Sequence, residues 1–225
     1  MCINVAIDGP AGAGKSTIAK KVAAKLGYIY VDTGAMYRAM ALYLLRKKVE
    51  REDTSGIERS CSGADISIRF IDGSQHVFLN GEDVSGLIRT DEVSQMASIS
   101  STVPKLREKL VSLQQKMAHE TSVVMDGRDI GTVVLPHADV KIFLTASPRV
   151  RAERRYQEMM DKGDHSLTLE EIEASIIERD ERDMNRKTSP LKRAEDASLL
   201  DSSDMTIEEV TNCIMEMINE KCKGC

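Results

Sequence analysis

The chain has 225 residues, 41% of them apolar and 30% charged, with a formal net charge of -5 at pH 7. This is long enough for one well-buried core with small inserts and fits a soluble globular protein. The acidic balance, without a basic tail, argues against nucleic acid as the main partner. No apolar run reaches membrane-spanning length and the N-terminus does not read as a signal peptide, so no membrane partner and a cytoplasmic location are expected. The five cysteines, Cys2, Cys61, Cys213, Cys222 and Cys225, are an odd, scattered set, as suits free thiols in a reducing compartment. Cys222 and Cys225 have metal-ligand spacing, but no second pair exists and no zinc site is expected.

In chain order, residues 2–8 predict a buried strand with Asn4 as its only polar member before the terminal Asp8, the pattern of a strand inside a parallel sheet. Gly9-Pro10-Ala11-Gly12-Ala13-Gly14-Lys15-Ser16-Thr17 follows. Gly9, Gly14, Lys15 and Ser16 fit the spacing G-x-x-x-x-G-K-[ST] of a phosphate-binding loop. Glycines let backbone N–H groups crowd a phosphate, and the next helix adds unpaired amides and a positive dipole end. Lys15 would place a charge on the β- and γ-phosphates, and the Ser16 hydroxyl can ligate Mg²⁺. A plain glycine-rich turn capping a helix does not ask for lysine and serine in this register.

A helix is predicted over 15–26, with Ile18, Val22, Ala23 and Leu26 on one side, ended by Gly27. A second strand spans 28–31 and a helix 34–48. Between them, Asp32-Thr33 stands where open α/β sheets gather ligands, although a helix cap explains either residue equally well. Arg38, off the apolar line, reads alone as a solvated charge. Over 62–86, Ile66, Ile68, Phe70, Val77 and Leu79 alternate with polar residues around Asp72-Gly73 and Asn80-Gly81, predicting an antiparallel insert. Helices are predicted over 89–101 and from Pro104, the latter with Leu106, Leu110, Leu113 and Met117 as its stripe and Arg107 at the edge of a cleft.

The strand Val123–Met125 ends in Asp126-Gly127-Arg128-Asp129, the form of a magnesium-side motif, unless Asp126 only holds its own turn. After a strand over 140–144, Pro148 starts a helix with Arg149, Arg151, Arg154 and Arg155. These suit either a phosphate site or an exposed, salt-bridged face completed by Glu153 and Glu158. Over 170–187, the stripe from Ile172 and Ile176 runs on into Arg179, Asp183 and Arg186, as in a helix leaving a core for a polar cleft. Ordinary ion pairs along the helix would give the same pattern. A short strand over 198–200 and a helix from Ile207 to Ile218 close the chain.

These blocks together resemble the bacterial cytidylate kinases, nucleoside monophosphate kinases among the P-loop proteins. The resemblance rests on Asp8 to Ser16, Asp32 to Arg38, Gly81 to Arg89, Asp126 to Val134 and Arg179 to Arg186. It implies an α/β P-loop NTPase fold: a five-stranded parallel sheet flanked by helices, with a small antiparallel β insert and a lid. It implies one domain, with a core at 1–32, 120–148 and 187–225, a monophosphate-binding region at 33–119, and a lid with its arginine-bearing helix at 149–186. The implied reaction is γ-phosphoryl transfer from ATP to CMP or dCMP with Mg²⁺, in a cytoplasmic monomer. By position, Arg38, Arg128 and Arg186 would hold the CMP phosphate beside Thr33. Arg179 and Asp183 would meet the sugar, and Ser98, Arg107 and Asp129 the cytosine. Arg151, Arg154 and Arg155 would form the lid over ATP, Arg154 joining Lys15, Arg128 and Arg186 in catalysis. Another nucleoside monophosphate or small-metabolite kinase, or a nucleotide-sensing module without turnover, is the competing expectation.

Overall fold

A computed structural model describes residues 2–71 and 74–223. Asp72-Gly73, Cys225 and the Cys222 side chain lie outside the described residues. The chain divides into two compact units, one of residues 1–30 and 121–225 and one of residues 31–120.

In the larger unit the first strand, β1 (Asn4–Asp8), leads through the glycine loop into α1 (Lys15–Leu26), and β2 (Ile29–Asp32) begins. Val5, Ala6 and Ile7 are fully buried, because this strand is the middle one of a five-stranded parallel sheet. Counting on from the smaller unit's three strands, the remaining sheet members are β6 (Val123–Gly127), β7 (Val140–Thr145) and β8 (Ser198–Asp201), in the order β2-β6-β1-β7-β8. Ala6 lies opposite Met125 on one side and Lys141 on the other. Ile18, Val22 and Ala23 of α1 share a core with Val5, Ile7, Val124, Ile142 and Leu144. Val210, Ile214 and Ile218 of the closing helix, α8 (Ile207–Lys223), complete it. Gly27 ends α1 in the left-handed conformation, its amide returning to Ala23 and Ala24.

In the smaller unit, α2 (Thr33–Arg46) and a short α3 (Thr54–Ser60) precede an antiparallel sheet of β3 (Ile66–Ile71), β4 (Ser74–Leu79) and β5 (Glu82–Asp83). Ile66 pairs with Leu79 and Ile68 with Val77, so the expected alternation sets the register. Asn80 and Gly81 both take positive φ, 50° and 85°, as the turn between β4 and β5 demands. α4 (Asp91–Ser100) packs on α2, and α5 (Pro104–Glu120) follows. The buried face of α5 runs through Leu106, Arg107, Leu110, Gln114 and Ala118, while Leu113 and Met117 are half-buried. The helix is thus rotated from the stripe expected of it, and Arg107 is buried.

The larger unit also holds α6 (Pro148–Asp161) and α7 (Leu169–Asn185), packed on each other through Ala152, Met159 and Ile172. Thr168 and Glu171 form a capping box that starts α7.

Candidate active site

The site is built first by the loop between β1 and α1. A Cβ at Gly9 would run into the Leu144 carbonyl, so only glycine lets the loop pass this close to β7. Gly14 caps α1 with no side-chain hydrogen bond, leaving the first-turn amides to be met by an anion. Beside the loop lies a cavity of about 500 Å³, lined by residues 12–18, Arg154, Ser202, Met205, Thr206 and Ile207. Lys15 is buried, its Nζ donating to the Pro10 carbonyl at 2.6 Å. Burial holds its pKa well below the usual lysine value, and the nearby Arg128 guanidinium adds to this.

At the same end of the sheet, Ser16 Oγ donates to Asp126 Oδ2 at 2.8 Å, and the Tyr30 hydroxyl donates to Asp126 Oδ1 at 2.9 Å. A hydroxyl and a carboxylate thus converge beside the phosphate loop. Among the described residues no group of three His, Cys, Asp or Glu side chains is placed to hold a metal. Two protein oxygens beside a phosphate site fit Mg²⁺, which keeps several waters and shares substrate oxygens.

The turn after β6 is held from β1. Asp8 accepts from the amides of Ile130 and Gly131, each at 2.7 Å. Burial pushes the Asp8 carboxyl up to about 6 despite these two amides, and the charge of Asp129 acts in the same direction. Past Asp129 the chain makes one wide turn, the Leu135 amide reaching the Ile130 carbonyl at 2.7 Å. Asp129 is buried, with Oδ1 3.9 Å from Arg186 Nη2. Arg186 Nε donates to the Ser189 carbonyl at 2.5 Å. Arg128 Nη1 donates to the Gly9 carbonyl at 3.2 Å, and its Nε is paired with Asp183. Arg179 is exposed on α7, and its charge contributes to lowering the Lys15 pKa.

The four arginines of α6 separate into two kinds. Arg149 and Arg155 are exposed and paired with glutamates, the salt-bridged alternative of the sequence reading. Arg154 faces the cavity and donates to the Ser202 carbonyl at 2.7 Å. Arg151, expected to lie over ATP with Arg154 and Arg155, is a buried strut. It donates to Ala146 O at 2.8 Å, to Ala11 O at 2.9 Å and to Asp180 Oδ2 at 2.6 Å.

In the smaller unit, Thr33 is buried at the start of α2. Asp32 caps that helix, accepting from the Ala35 amide at 2.8 Å, and pairs with Arg38 at 3.1 Å. Arg38 Nε is buried without a hydrogen-bond partner. Arg107 Nη1 donates to the Ser101 carbonyl at 3.2 Å, with its guanidinium 5.5 Å from the Tyr37 ring centre. Ser98 is half-buried on α4.

Lys15, Ser16, Arg128, Asp129, Arg154, Asp183 and Arg186 thus belong to the larger unit, and Thr33, Arg38, Ser98 and Arg107 to the smaller one. Sequence reasoning gave no role to Asp8 or Tyr30 and did not foresee the Arg151–Asp180 pair or the cavity wall from Ser202 to Ile207. For the last, a signal was present: Ser202 follows β8 at its C-terminal end, where such sheets gather ligands.

The sequence model of the cytidylate kinase family matches residues 5–220. A cytidylate kinase of Caldicellulosiruptor bescii is 49% identical over 225 residues, covering 99% of this chain and 98% of that one. A cytidylate kinase of Caldanaerobacter subterraneus is 51% identical over 224 residues, covering 100% and 98%. Among solved structures, a shikimate kinase of Bacteroides thetaiotaomicron aligns with a TM-score of 0.50 at 13% identity, covering 96% and 98%. That likeness concerns the fold alone. Matched along nearly its whole length, the chain belongs to the cytidylate kinase family.

Proposed function

We propose that this protein transfers the γ-phosphoryl group of ATP to CMP or dCMP, giving ADP and CDP or dCDP. An oxygen of the acceptor phosphate bonds to the γ-phosphorus as the bond to the β-phosphate bridging oxygen breaks. The acceptor is already an anion, so no general base is required; positioning and charge neutralisation suffice. One observation carries the reading: a buried lysine, a serine–carboxylate pair and the Arg128 guanidinium all meet at one glycine loop.

In this reading residues 9–17 cradle the triphosphate in the cavity that Arg154, Met205 and Ile207 also line, and Arg154 joins Lys15, Arg128 and Arg186 in neutralising the transferred charge. Lys15 neutralises charge at the β- and γ-phosphates. Mg²⁺, held through Ser16 and Asp126, supplies further neutralisation of the phosphate oxygens. Arg128 and Arg186, with Arg38 and Thr33, hold the acceptor phosphate; the unpartnered Nε of Arg38 is a donor available for it. Arg179 and Asp183 take the ribose, and Ser98, Arg107 and Asp129 the base. Cytosine offers a donor at N4 and an acceptor at N3, which a carboxylate and a guanidinium satisfy. Uracil reverses both and leaves buried partners unpaired.

Residues 33–119 are the monophosphate-binding region and 149–186 the lid, whose closure excludes water from the transferred phosphate. The protein acts as a cytosolic monomer. Among the described residues no helix is long and apolar enough to cross a membrane. ADP release with CMP, dCMP, UMP and AMP as acceptors tests the reading. CMP and dCMP are expected to outrun the others widely; UMP or AMP in front, or ATP binding without turnover on any acceptor, would overturn it.

A further inference from the structure

We infer that Tyr30 is a positioning residue for the carboxylate of Asp126, fixing the orientation in which that group faces the metal side of the site. The inference rests on the reading of Ser16 and Asp126 as the Mg²⁺ side. Rotation of a carboxylate about its last bond is only weakly restrained by its own chain. Here each oxygen has its own donor: Ser16 Oγ meets Oδ2 at 2.8 Å and the Tyr30 hydroxyl meets Oδ1 at 2.9 Å. An ionised carboxylate only accepts, so the phenol proton is directed at Oδ1. Oδ2 is thereby presented at the phosphate loop beside the serine hydroxyl. Tyr30 is itself fixed, being buried, with the Lys20 ammonium 5.6 Å from its ring centre. Groups that orient a ligand in this way typically contribute about 10–100-fold in metal affinity.

The test reads affinity rather than turnover. ATP binding is measured by calorimetry with and without Mg²⁺, and the ratio of the two affinities is the metal gain. Tyr30→Phe is expected to leave metal-free ATP binding within about twofold and to cut the metal gain by about tenfold. para-Fluorophenylalanine at position 30 fills the hydroxyl's place without donating; it is expected to match Phe and replaces it if Phe does not fold. 4-Aminophenylalanine, which restores a donor, is expected to recover the gain. Asp126→Asn separates the two claims. If Asp126→Asn keeps the full metal gain, the reading of the metal side fails and takes the role of Tyr30 with it. If Asp126→Asn loses the gain while the position-30 variants keep it, the inference about Tyr30 alone is overturned. Equal weakening of ATP with and without Mg²⁺ in those variants would likewise overturn it, as the mark of general packing.

Discussion

Arg128 donates through Nε to Asp183 Oδ2 at 2.9 Å, with both side chains largely buried. The pair ties the turn after β6 to the C-terminal half of α7. It stabilises each charge in the other's presence, so removing one partner leaves a buried charge uncompensated.

Single replacements Arg128→Ala and Asp183→Ala are therefore expected to destabilise the fold by about 3 kcal/mol each. The double variant is expected to fall short of their sum by about 1–3 kcal/mol. Urea unfolding of the four proteins measures this; strict additivity would mean that the pair is not coupled.

Asp8 gives a pH dependence with a definite sign. Its carboxyl lies at about 6 in the fold against 3.8 in the free residue, chiefly through burial. The folded chain binds this proton more tightly than the unfolded one. The group's contribution is therefore fully present below 3.8 and is lost as pH rises through about 6. The difference corresponds to about 3 kcal/mol. Unfolding free energies of the wild type and Asp8→Asn, compared from about pH 4 to about pH 7, are expected to diverge with the wild type losing ground. A constant difference across that window would contradict the assignment.

Lys15 has the opposite displacement, its pKa held well below 10.5 by burial and by Arg128. An anionic phosphate beside it reverses the imbalance. ATP binding at alkaline pH is thus expected to take up a proton, and affinity to fall as pH rises through the depressed value. Calorimetry in buffers of different ionisation enthalpy reads the uptake directly; no net proton exchange would argue against Lys15 meeting the phosphates. Lys15→Ala is expected to lower turnover by at least about 100-fold.

The local parts of this design were legible in the sequence. The apolar run before Gly9 and the glycine spacing up to Lys15 concern residues adjacent in the chain, so strand, loop and helix followed from pattern alone. Asn80-Gly81 gave its turn for the same reason. What pattern does not encode is which distant groups meet. Asp8 clamps amides 122 and 123 positions away, and Tyr30 reaches Asp126 across 96. The α6 arginines are alike as letters; only packing makes Arg151 a strut and Arg155 a solvated charge. Polar residues on a buried face mislead the same way, since Arg107 and Gln114 occupy core positions of α5.

Asp129, a buried acid, is expected to select cytosine over uracil. The most direct measurement is the ratio of kcat/KM for CMP to that for UMP in the wild type and in Asp129→Asn. The amide replaces an acceptor-only group with one that donates, which suits uracil O4 better than cytosine N4. The ratio is expected to fall by about 100-fold or more while the KM for ATP stays within about threefold. An unchanged ratio, with CMP and UMP losing activity equally, would contradict it.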